Sequence, residues 1–170
     1  NLSYNSNQNF NDIKIQRKFI ESSTKEVTSH FDQETKLKNE SQSYYAKLGM
    51  DYSISKKTTI GFVLTGNINP SEFKSNSDVN ISDPNRNLLS RTLANSGNNT
   101  KWKSYTTNLN FRHVFDSSGK ELTADVDFLN YGRRNSNSLI NAYYDPFGIP
   151  YMKADTLYGN LPQDIDIRTA

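Results

Sequence analysis

Apolar side chains recur at every second position through several stretches of the chain, the period of a strand with one face in an apolar environment. Over residues 41–54 one row holds Tyr44, Ala46, Leu48, Met50, Tyr52 and Ile54, and the other holds Tyr45, Lys47, Gly49, Asp51 and Ser53. After Ser55-Lys56-Lys57-Thr58 the alternation resumes, with Ile60, Phe62, Leu64 and Ile68 against Gly61, Val63, Thr65 and Asn67. Pairing Tyr52 with Phe62 and Met50 with Leu64 sets both apolar rows on one side of a hairpin.

A second hairpin follows the same logic. Tyr105, Thr107, Leu109, Phe111 and Phe115 alternate with Thr106, Asn108, Asn110, Arg112 and Val114. Asp116-Ser117-Ser118-Gly119-Lys120 reads as a turn. Leu122, Ala124, Val126 and Phe128 then face one way, and Thr123, Asp125 and Asp127 the other. With Phe115 opposite Leu122, Phe111 meets Val126, Leu109 meets Phe128, and Arg112 meets Asp125 on the polar side. Both faces agree on that register.

Residues 21–40, 71–103 and 135–160 are rich in Asn, Ser, Asp and Lys and show little sustained periodicity, so they are predicted as long polar loops. Residues 1–19 predict a further strand, and 161–170 begin another. The prolines, Pro70, Pro84, Pro146, Pro150 and Pro162, are expected at strand ends or in loops, because a ladder needs the N–H that proline lacks. The whole reads as about six antiparallel up-and-down strands with no helix of useful length.

Strand runs of roughly 10–14 residues exceed the ~5–6 usual in soluble sheets and suit the ~9–11 residues of a tilted membrane strand. Composition points the same way. Hydrophobic residues make up 34% of the chain and aromatics 12%, with a formal net charge of +2, and the mean hydropathy is -0.80. That is too polar for an ordinary soluble core. It is also too aromatic and too charge-balanced for a disordered chain. A membrane barrel has this profile, because only alternate residues meet lipid. Aromatics near strand ends (Tyr44 and Tyr52, Tyr105 and Phe115, Phe128 and Tyr131) suit interfacial girdles.

A sheet in lipid must close on itself to satisfy its backbone, and closure takes at least about eight strands. Residues 1–170 are therefore expected to be a section of one outer-membrane β-barrel domain, with the remaining strands and any plug in sequence outside this stretch. A secreted or surface β-sandwich that binds carbohydrate or protein is the alternative, since alternation alone fits a sandwich core equally well.

The stretch Asn110-Phe-Arg-His-Val-Phe-Asp-Ser-Ser-Gly-Lys-Glu-Leu-Thr-Ala-Asp-Val-Asp-Phe-Leu-Asn-Tyr131 resembles the bacteroidete-type outer-membrane β-barrel proteins, relatives of TonB-dependent receptors. Met50-Asp-Tyr-Ser-Ile-Ser-Lys-Lys-Thr-Thr-Ile-Gly-Phe62, Tyr143-Tyr-Asp-Pro-Phe-Gly148 and Gly159-Asn-Leu-Pro-Gln-Asp-Ile-Asp166 are similar to the same family in matching order. The resemblance runs from about Ser41 onward. It implies a large outer-membrane barrel, often around a plug, that takes up a nutrient ligand. It also implies a periplasmic energy-coupling protein and a surface lipoprotein as partners. Neither a plug nor a coupling box lies in these residues.

Chemistry is sparse. With no cysteine there is no thiolate site, and His30 and His113, the only histidines, have no second ligand at usable spacing. Asp125/Asp127 and Asp164/Asp166 each share one strand face, but no calcium-loop pattern surrounds them. P-loop, nucleophile elbow and triad are absent, so no enzymatic site and no cofactor is expected. Balanced charge argues against nucleic acid as a partner. Lys101-Trp102-Lys103 and Arg133-Arg134 are expected instead to meet lipopolysaccharide and lipid at the outer rim. The lumen is expected to be lined by Lys47, Asp51, Thr65, Asn108, Asn110, Arg112, Asp125 and Asp127. Tyr143, Tyr144 and Phe147 are the loop rings available to a ligand.

Overall fold

A computed structural model describes residues 1–116 and 119–170. Ser117 and Ser118 of the sequence-predicted turn lie outside the described residues. Among the described residues six strands, β1 (Leu2–Ile20), β2 (Val27–Ser55), β3 (Thr58–Ser82), β4 (Leu88–Val114), β5 (Glu121–Tyr144) and β6 (Asp155–Thr169), follow one another without a helix. They form one antiparallel sheet in the order β1-β2-β3-β4-β5-β6, so each strand pairs with its neighbours in sequence. The up-and-down arrangement is as the alternation predicts. All strands belong to one sheet, so the two-layer packing of a sandwich does not occur among the described residues. No hydrophobic residue among them is buried.

Partners across an antiparallel ladder share a face, and the registers therefore sort every strand residue onto one of two sides. One side carries Tyr44, Ala46, Leu48, Met50 and Tyr52 of β2 opposite Ile68, Gly66, Leu64, Phe62 and Ile60 of β3. The same side continues through Tyr105, Leu109 and Phe111 of β4 to Val126 and Ala124 of β5. We call this the apolar face. The side chains between these positions form the polar face.

Both hairpins pair two residues away from the expected register. Tyr52 lies opposite Ile60 and Met50 opposite Phe62, because the first turn is only Lys56 and Lys57. In the second hairpin Leu109 lies opposite Val126, Phe111 opposite Ala124, and Arg112 opposite Thr123 rather than Asp125. A shift of two leaves every side chain on its predicted face, because the pleat repeats every two residues.

The long loops expected at 21–40, 71–103 and 135–160 are not found. β2, β3, β4 and β5 run on through most of those residues, and the connections there are 21–26, 83–87 and 145–154. Backbone pairing persists in these stretches, as in Lys38 opposite Lys74 and Asn39 opposite Phe73. Both faces there carry mainly polar side chains, which removes the hydropathy contrast that alternation relies on. The tips are then tight. In 83–87 the Asp83 carboxylate accepts from the Asn87 backbone N–H (2.8 Å) and from Asn87 Nδ2 (2.9 Å). In 145–154 Asp145 Oδ1 accepts the N–H groups of Phe147 (2.9 Å) and Ile149 (2.8 Å), and Gly148 takes the positive φ of 79° that this turn requires.

Pro70 and Pro162 do not sit at strand ends. Pro162 lies inside the edge strand β6, opposite Arg134. Pro70 lies in the middle of β3, opposite Lys101 on β4. On its other side the β2–β3 ladder runs from Ser41 opposite Ser71 to Tyr44 opposite Ile68, and the two intervening pairs are missing. The absent proline N–H accounts for a local gap of this kind, and clefts open on both faces beside it.

Candidate functional site

The polar face below this gap collects the predicted lining residues. Lys47, Asp51, Thr65, Asn108, Asn110, Arg112, Asp125 and Asp127 all fall on it, through the pairs Lys47–Thr65, Asp51–Gly61, Gly61–Asn110, Asn110–Asp125 and Asn108–Asp127. They form a hydrogen-bonded surface. Asn108 Nδ2 donates to Asp127 Oδ1 at 2.8 Å, and Asn110 Nδ2 donates to Asn108 Oδ1 at 3.5 Å. Asp51 and Asn110 lean over Gly61, where an added Cβ would collide with both side-chain oxygens. Glycine is therefore what lets the acid and the amide close over that position.

Arg112 belongs to this face but not to Asp125. Its guanidinium bonds Glu121 Oε2 through Nε (3.0 Å) and Nη2 (2.7 Å). Neither Asp125 nor Asp127 is ion-paired with an arginine among the described residues, and no group of acids and histidines among them is arranged to hold a metal ion. Of the two histidines, His113 lies on the apolar face, with Nδ1 2.8 Å from Thr58 Oγ1 and its ring edge-on to Phe115 at 4.9 Å. His30 is buried in the upper part of β2, and its Nδ1 has no hydrogen-bond partner among the described residues.

The three rings expected to meet a ligand are not gathered on one face. Tyr143 and Tyr144 end β5, so as neighbours on a strand they point to opposite faces. Tyr144 lies opposite Arg91, and Tyr143 opposite Thr92. Tyr143 donates to Asp155 Oδ2 at 2.7 Å, and that hydrogen bond to the carboxylate raises the phenol above its ordinary value. Phe147 stands free in the 145–154 turn, 86% exposed.

Sequence reasoning missed a second aromatic site higher on the polar face. Trp102 and Tyr131 meet edge-on with ring centroids 5.1 Å apart. Tyr131 lies opposite Ile165, and Trp102 lies opposite Arg133. Tyr131 is therefore not part of the outer aromatic row expected for it. Beside Trp102, Asn5, Asn7, Ser43, Asn69 and Thr100 line an open cleft of about 260 Å³ at the Pro70 gap. The signal was present in the alternation Leu157, Leu161, Ile165, Ile167, whose apolar row lies on the polar face of β6. This arrangement can hydrogen-bond a ligand through amides and hydroxyls and stack it on a ring.

No family model matches the chain. A search of curated proteins also found no significant relative.

Proposed function

We propose that this sheet is part of the wall of an outer-membrane β-barrel that admits a ligand, in the manner of a TonB-dependent receptor. One observation carries the reading: the apolar rows of β2–β5 are contiguous, exposed and covered by no second layer among the described residues. Leu48, Met50, Leu109 and Val126 are each half or more exposed, and water does not favour so large an apolar patch. Hydrocarbon covers it without cost.

The slant of the band supports the same reading. The contiguous apolar band on that face ends at Ile68 on β3, Tyr105 on β4 and Phe128 on β5, where polar residues follow. Ile68 pairs with Lys103, Tyr105 with Gly66, and Phe128 with Thr107 and Arg168. The boundary thus drops by one row of pairs at each strand. In a barrel wall the strands tilt, so a boundary at constant height must cross the hydrogen-bonded rows obliquely. On β6 the same height falls beyond Arg168, which explains why Asp164 and Asp166 occupy that face without meeting lipid.

Further strands would close the wall around the polar face, making Asp51, Asn108, Asn110 and Asp127 the lumen surface. The paired extensions above the band would stand outside the membrane, with Trp102 and Tyr131 on their inner side as the first stacking platform for an incoming ligand. An energy-coupling protein and a surface lipoprotein are partners this reading allows. The test is single-cysteine labelling of the full-length protein in lipid. Probes at Leu48, Leu109 and Val126 should be quenched by brominated acyl chains, and probes at Asn108 and Asp125 should react with water-soluble reagents only. Equal behaviour of the two sets would reject the barrel.

A further inference from the structure

Just above the apolar band, on the same face, the sheet sets three cations close together. Lys101 lies directly opposite Arg134, and Lys103 follows two residues on along β4. Like charges opposite one another destabilise a ladder. Arg134 pairs with Asp164 at 2.9 Å, whereas neither Lys101 nor Lys103 has an acidic partner among the described residues. Lys101 and Arg134 line an open cleft of about 610 Å³ with Gln42, Asn99, Ser136 and Asn160. Glu40 and Glu72 also reach this cleft, but each is held by a lysine, Lys38 at 2.8 Å and Lys74 at 2.9 Å.

Immediately below lies an apolar trough. Ala46 and Gly66, opposite each other, form its floor, and Leu2, Tyr4, Tyr44, Ile68 and Tyr105 form its sides, enclosing about 560 Å³. The two hollows are neighbours along the strands: Gln42 precedes Tyr44 by two residues, Pro70 follows Ile68 by two, and Lys103 stands between Lys101 and Tyr105.

We propose that these neighbouring hollows together bind one lipid with a phosphate-bearing headgroup, its phosphate on Lys101, Lys103 and Arg134 and an acyl chain in the Ala46–Gly66 trough. This rests on the reading that the apolar face meets hydrocarbon. Charge complementarity selects an anion, and continuity with the trough selects one carried on a lipid. Amides at Gln42, Asn99 and Asn160 supply neutral donors for further headgroup oxygens.

The test uses the full-length protein in phosphatidylcholine vesicles with and without lipid A, followed by extraction and native mass spectrometry of retained lipid. Lys101→Gln/Lys103→Gln should lower lipid A retention about tenfold or more and leave phosphatidylcholine retention unchanged. Gly66→Leu should lower it too by filling the trough, since a Cβ there meets only Tyr105 Cδ1, at 3.8 Å. Inorganic phosphate should compete poorly. Unchanged lipid A retention in the double variant would overturn the site, and so would full displacement by inorganic phosphate. A wild-type protein that retained neither lipid would reject the membrane reading itself.

Discussion

Arg112 faces Thr123 across the β4–β5 ladder, yet its guanidinium reaches along the strand to clasp a single oxygen of Glu121, through Nε at 3.0 Å and Nη2 at 2.7 Å. Both partners are largely solvated, at 62% and 42% exposure. Such a pair contributes ~0.2–1 kcal/mol. A double-mutant cycle on Arg112→Ala and Glu121→Ala should return a coupling in that range, read from denaturant midpoints in detergent. A coupling of several kcal/mol would mean that the pair is shielded from water.

The register itself is open to a direct chemical check, because the chain contains no cysteine. Asn110→Cys with Asp125→Cys places two thiols directly opposite, within the Cα separation that a disulfide bridges. Mild oxidation should cross-link that pair efficiently. The diagonal pair Arg112→Cys with Asp125→Cys should remain largely reduced, and the reverse outcome would restore the register that hydropathy alone suggested.

That register shows what alternation determines and what it leaves open. Leu109 and Asn108 could be assigned to their faces from sequence because a pleat has a period of two. Whether Leu109 meets Val126 or Phe128 depends on turn geometry, to which hydropathy is blind, and both hairpins therefore paired two residues away. The same limit hid the upper sheet. Lys38, Asn39, Phe73 and Lys74 pair in order, but with polar groups on both sides no periodic signal marks the strands. Tyr131 departs from expectation for a related reason: an aromatic near a strand end suggests an interface, whereas its own parity places it beside Trp102. The lining residues from Lys47 to Asp127 were legible because they alternate with a strong apolar row.

Placing one charge on each face should separate the two environments. Leu64 lies on the apolar face opposite Leu48, and Thr65 lies on the polar face opposite Lys47. Leu64→Arg should cost about 2–4 kcal/mol if that position sits near the bilayer midplane, and should sharply reduce the heat-resistant folded band on gels. Thr65→Arg should assemble normally. Equal tolerance at both positions would contradict a hydrocarbon boundary at Leu64.

Acid should loosen the 83–87 tip. Hydrogen bonds from the Asn87 side chain and backbone hold the Asp83 carboxyl below the ordinary carboxylate value. With its folded value below its unfolded one, the contribution is present above the unfolded pKa and is lost as pH falls through the folded value. A carboxyl-carbon NMR titration should place the Asp83 midpoint below those of solvated aspartates, and Asn87→Ala should move it back up. A midpoint in the ordinary range would mean that the turn is open in solution.

β1 and β6 each have a partner on one side only. Along each outer rim, alternate amides and carbonyls point away from the sheet with no strand to receive them, over runs of 19 and 15 residues. Such rims are templates for further pairing. Expressed alone in water, this ribbon should therefore stack edge to edge with copies of itself into fibrils, and a peptide copied from a true neighbouring strand should act as a chain terminator that halts their growth.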